Sequence, residues 1–215
     1  MNMIRVWFSK TGEASYISLL DLQRVMGRSI KRSGVPAWYT KGFNPHVYLS
    51  FACPLSLGQE SLVESFEFKT EAEPLDFEGW KNALNAVMPA GIHVFKVCLV
   101  EKKAEEIGFS RYKVSYPAGK AVEAVEAYNA LPEALVEKKS KRGMKTVDLK
   151  EYIPSLTMER GEETDSFELV LPAGVSFTVN PALLTGYFEK QYGLKGSDAH
   201  ILRTELMMKD MEKFD

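Results

Sequence analysis

Apolar residues recur along this chain with a period of two in some stretches and about 3.6 in others, and the order of those stretches restricts the possible folds. Ile4, Val6 and Phe8 alternate with Arg5 and Trp7 up to the turn Lys10-Thr11-Gly12, which is the pattern of a strand. Ser18 stands three residues before Asp21, the spacing of a capping box, and Gly34 with Pro36 supplies a stop, so a helix is expected over 19–33. Leu22, Val25, Met26, Ser29 and Ile30 form its mostly apolar stripe. Residues 37–40 and 47–52 read as extended segments on either side of the turn GFNPH, and 62–68 alternates again. The stretch 76–88 has the helical stripe Phe77, Trp80, Leu84 and Val87, closed by Pro89 and Gly91, before 92–100 returns as a strand. The succession is β-α-β-β-α-β, the ferredoxin-like arrangement.

A charged stretch at 101–106 reads as a linker, after which the order partly repeats. Strand 112–116, helix 120–130, two extended segments within 135–149 and strand 166–171 follow. Asn180-Pro181 then places a capping residue before proline at a helix start, and 201–208 closes as a strand. The expected fold class is α+β: two ferredoxin-like (β-α-β-β-α-β) domains in tandem, over 1–103 and 110–215, the second with an extra strand. A length of 215 residues accommodates two units of about 100 residues each.

The net charge of -2 conceals an asymmetry. Residues 1–59 hold seven basic side chains against two acidic ones, a local +5, so the remainder carries -7. A basic region on an otherwise acidic protein suits a polyanionic partner. Two cysteines, no charged-then-apolar leader and no apolar run near the roughly 18 residues of a membrane span point to a cytoplasmic protein without a membrane. An iron–sulfur cluster of a radical enzyme needs three closely spaced cysteines, which this chain lacks. Neither a phosphate loop nor a dinucleotide fingerprint occurs, and His46 with Cys53 has no third ligand nearby, so no metal and no cofactor are expected.

Arg24, Arg28, Lys31 and Arg32 share the helical spacing on the side of 19–33 opposite the apolar stripe. They read either as a solvated helix back or as a phosphate-facing ridge. Lys10, Lys41, Phe43, Asn44 and His46 extend that basic surface into the KGFNPH turn, where Trp38, Tyr39, Tyr48 and Phe51 add aromatic rings of the kind used for base stacking. A second basic loop with Lys139, Lys141 and Arg142 offers a further nucleic-acid contact or a solvated turn. His46 is the one candidate catalytic residue, as a general base towards an RNA 2′-hydroxyl, against the alternative of a histidine that hydrogen-bonds its own turn.

The run FSKTGEASYISLLDL, then KRSGVP, then KGFNPHVYLSFACPLSLG, followed by Glu60-Ser61 and Glu64, resembles the bacterial "radical SAM-linked protein" family, a domain of unknown function. The resemblance continues through Lys139 to Asp148, Asn180-Pro181 and Arg203-Thr204-Glu205-Leu206. Members stand alone or form the tail of cobalamin-type radical SAM proteins, and are often encoded beside a ribonuclease G-like enzyme and ribosomal proteins. Leu20 departs from the histidine common at that position in the family. The resemblance implies RNA metabolism and partners of the radical SAM or ribonuclease G-like type. The expected function is an RNA-binding or RNA-presenting accessory module. An RNA-processing enzyme using His46 and a protein–protein adaptor without nucleic acid are the alternatives.

Overall fold

The computed structural model describes residues 1–140, 143–174 and 177–215. In the N-terminal half, β1 (Asn2–Lys10) leads to α1 (Leu19–Ser33), β2 (Ser50–Phe51), β3 (Glu60–Thr70), α2 (Phe77–Asn85) and β4 (Ile92–Leu99). In the C-terminal half, β5 (Ile107–Pro117) is followed by α3 (Val122–Ala130), β6 (Leu135–Ser140), β7 (Gly143–Asp148), β8 (Thr164–Pro172), α4 (Ala182–Tyr192) and β9 (His200–Met208). The protein is thus mixed α+β with four helices among the described residues.

Its main sheet has seven strands in the order β4-β1-β3-β9-β5-β8, with β2 also on β3, and every pairing is antiparallel except β3 with β9. The two halves therefore share one sheet, where two separate sheets were expected. Among the described residues the extra strand expected in the second half does not join this sheet, because β6 and β7 pair with each other as a separate ribbon. The first extended segment, 37–40, does not become a strand. Trp38 N–H donates to Lys69 O, and Tyr39 makes a single bridge to Val47, so the chain folds back on itself around the turn.

Where the sequence carried a complete set of signals, the elements follow it. The Ser18 hydroxyl accepts from Asp21 N–H at 3.2 Å, and α1 ends at Gly34 in the left-handed conformation with φ of 74°. Leu22, Met26 and Ile30 of α1 pack with Trp80 and Leu84 of α2 on Ile4, Val6 and Phe8 of β1. A second core joins Val114 and Tyr116 of β5 to Tyr128 of α3 and Phe188 of α4. A smaller cluster of Trp7, Ala52, Ile107, Leu206 and Phe214 seals the halves together.

The connection from β2 to β3, residues 52–59, runs from the first half onto the second. Leu55 packs on the C-terminal core. Gln59 Nε2 donates to Asn180 Oδ1 at 2.7 Å, and Asn180 Nδ2 donates to Ser56 Oγ at 2.7 Å. Glu60 accepts from Gly12 N–H at 2.9 Å and meets His200 Nε2 at 3.1 Å. At the same seam Arg203 Nη2 donates to Glu64 Oε1 at 2.7 Å, with the two side chains 1% and 3% exposed. Burial opposes the charge of Arg203 most strongly, but the Glu64 carboxylate together with Tyr112 and Cys53 outweighs it and raises the guanidinium above its ordinary value. The segments that carry the family resemblance, from CPLSLG to Asn180 and Arg203, thus meet at one seam.

Candidate functional site

An open groove of about 610 Å³ runs between α1 and the chain at 39–49. Arg24, Arg28 and Lys31 line its helix side, while Tyr39, His46 and Tyr48 line the opposite side. Gly27 and Leu49 approach each other between the two walls, and among the described residues no Asp or Glu lines the groove. The stripe of Leu22, Met26 and Ile30 is committed to the core, which turns the intervening cations outward. The return of the chain at the Tyr39 to Val47 bridge then lays the aromatic segment beside them.

Within the groove the cations are unequal. Arg24 Nη1 contacts Asp21 Oδ1 at 2.9 Å, an exposed pair that water and salt screen. The Ser18 hydroxyl and Arg24 hold the Asp21 carboxyl below its usual range. Arg28 and Lys31 have no carboxylate partner among the described residues. Lys31 also lies in the last turn of α1, where it favours the negative end of the helix dipole.

Other residues expected at the interface lie elsewhere. Lys10 is 2% exposed, and its Nζ donates to Ser15 O at 3.2 Å, which removes it from the surface. Burial lowers its pKa, with Glu64 opposing and Arg203 adding to the effect. Arg32 lines a separate depression with residues 86–89 after α2. Lys41 and Asn44 are exposed on the turn but do not line the groove, and Phe43 at its tip is fully exposed. Lys139 lies on β6, and Lys141 and Arg142 lie outside the described residues.

His46 is engaged in its own turn. Its Nδ1 is 3.0 Å from Asn44 O and 3.1 Å from Thr40 Oγ1, its N–H donates to Thr40 Oγ1, and Thr40 N–H donates to its carbonyl. A carbonyl only accepts, so this geometry assigns a proton to Nδ1, and it is the neutral form of the ring that would carry a lone pair at Nε2. Gly42, with φ of 133°, allows the chain to turn there.

Three of the five aromatic residues near the turn, Tyr39, Phe43 and Tyr48, are exposed. Lys69 of β3 joins the site as well, with Nζ 5.0 Å from the Tyr48 ring centroid and 5.7 Å from that of Trp38. Sequence reasoning missed Lys69 because its alternating pattern was ended at residue 68. Continuing the pattern to Thr70 was the available signal. Gly27 was missed because a glycine inside a helix reads as a weakness rather than as open space. No cluster of three His, Cys, Asp or Glu side chains able to hold a metal ion occurs among the described residues, and no described helix is long and apolar enough to cross a membrane.

No curated protein matches the chain. The model of one bacterial family matches residues 3–181, a span that includes both walls of the groove, the 52–59 connection and Asn180. On that match, the chain belongs to the family described as "Uncharacterized protein conserved in bacteria (DUF2344)".

Proposed function

We propose that this protein is an RNA-binding or RNA-presenting accessory module of the cytoplasm, and that the groove beside α1 is its RNA contact. The observation carrying this reading is the convergence of Arg24, Arg28 and Lys31 with Tyr39 and Tyr48 around a groove lined by no carboxylate among the described residues. Cations supply sequence-independent attraction to phosphates, and the rings supply surfaces for bases. Each half is read as a ferredoxin-like unit, the first with β4-β1-β3-β2 and the second with β9-β5-β8. The resemblance described from the sequence suggests a radical SAM enzyme or a ribonuclease G-like enzyme as the protein that acts on the presented RNA. Radical chemistry would reside in that second chain.

RNA affinity measured by gel shift at two salt concentrations tests this reading. Three phosphate contacts predict a slope of log K against log[salt] of about -2 on a single strand. Arg28→Glu with Lys31→Glu should weaken binding at least tenfold at low salt. Absence of binding at low salt, or affinity indifferent to salt, would contradict the RNA reading and leave a protein–protein adaptor.

A second reading, in which His46 acts as a general base in RNA processing, draws on the Nδ1 contact with Asn44 O, which in the neutral ring would leave the lone pair at Nε2. RNA turnover abolished in His46→Ala, with its melting temperature preserved, supports this reading. Turnover equal to wild type removes it.

A further inference from the structure

We infer that the groove accepts an unpaired nucleobase, so that single-stranded rather than duplex RNA is its ligand; this rests on the RNA-binding reading. The Lys69 ammonium lies 5.0 Å from the Tyr48 ring centroid and also faces Trp38. This contact orients the ring, while Tyr48 still lines the groove and is 42% exposed. An oriented, cation-backed aromatic ring beside a groove is a platform on which a flat heterocycle stacks.

Gly27 carries the argument further. Glycine in a helix interior destabilises it relative to alanine, and Gly27 has no positive φ that would require glycine. A Cβ built there meets only Leu49 Cδ1, at 3.9 Å, so neither backbone conformation nor crowding explains the residue. Its effect is to leave space in the groove where α1 faces Leu49 of the aromatic segment. The groove's 610 Å³ falls within the roughly 300–1,000 Å³ of small-molecule sites.

The surrounding chemistry selects the strand type. In an A-form duplex the bases are stacked internally, and proteins reach mainly phosphates and 2′-hydroxyls, so exposed rings have little to stack on. A single strand offers both bases and phosphates. Arg28 and Lys31, free of carboxylate partners among the described residues, line the same groove as Tyr48 and would hold the phosphates flanking an inserted base. Phe43 at the turn tip is a second ring available to an adjacent base.

The test is fluorescence anisotropy with a uridine-rich single-stranded RNA 12-mer and a fully paired RNA hairpin, using wild type, Tyr48→Ala, Tyr48→Phe, Gly27→Phe and Arg28→Ala, each checked by thermal melting. The single strand should bind at least tenfold more tightly than the hairpin. Tyr48→Ala should weaken single-strand binding by about 5- to 150-fold without changing the salt slope. Tyr48→Phe should retain affinity, and Gly27→Phe should lose it by filling the groove. Arg28→Ala should instead reduce the slope by about 0.7. Equal affinity for strand and hairpin, or wild-type binding by both folded Tyr48→Ala and Gly27→Phe, overturns the base-insertion inference while a charge-based RNA interface survives. No binding of either RNA overturns both readings.

Discussion

At the scale of single residues, the seam between the halves depends on ionic groups removed from water. Arg203 and Glu64 are paired at 2.7 Å, and Lys10 lies near enough to feel both. Truncating one member of such a pair leaves a buried charge uncompensated, at a cost of roughly 3–5 kcal/mol. Glu64→Gln should therefore lower the urea midpoint strongly, and Glu64→Gln combined with Arg203→Met should be less harmful than the sum of the separate changes. Lys10 gives a pH prediction with the opposite sign to a lysine whose pKa is raised by an ion-pair partner. Burial lowers its pKa, so the folded chain releases this proton at a lower pH than the unfolded chain, whose value is near 10.5. Stability relative to Lys10→Met should rise with pH through the window below 10.5 and level off above it, as read from denaturation curves across that range.

Elements differ in how openly the sequence declares them. Helix α1 was legible because Ser18, the apolar stripe and Gly34 fix its start, buried face and end in agreement. The 37–52 region was less legible: it reads as two extended segments around the turn, but only Ser50 and Phe51 pair with β3 as a strand. Backbone bonds from Trp38 to Lys69 and from Thr40 to His46 occupy the rest, and such long-range and loop bonds leave no periodic trace. The extra strand expected in the second half became a separate ribbon because β6 and β7 pair with each other. Gly27 offers a direct check on the account of α1. Gly27→Ala should stabilise the protein by about 0.5–1 kcal/mol, detectable as a higher melting temperature, because a single Cβ meets Leu49 at an ordinary contact distance. A lower melting temperature would show that the helix needs glycine there for packing.

Across the whole molecule, a charge map drawn from the sequence located the basic region but not its depth. Lys10 belonged to the same +5 count as Arg28, yet one is enclosed in the seam and the other lines a groove. One-dimensional counting cannot separate these fates, because the β3–β9 pairing that encloses Lys10 joins residues more than 130 positions apart. The seam also predicts a mechanical property. Asn180 bridges Ser56 and Gln59 and accepts from Ala182 N–H at the start of α4. Asn180→Ala should cost about 1–3 kcal/mol and accelerate amide exchange at the β3–β9 junction more than in the centre of β5.

The central claim is that RNA lies in the groove beside α1, and photocrosslinking tests it most directly. A 4-thiouridine-containing single-stranded RNA, irradiated with the full chain and mapped by peptide mass spectrometry, should attach within residues 39–49, with Tyr39, Phe43 and Tyr48 as the favoured positions. Crosslinks confined to the β6–β7 ribbon, or distributed over the surface without enrichment at 39–49, would contradict the account.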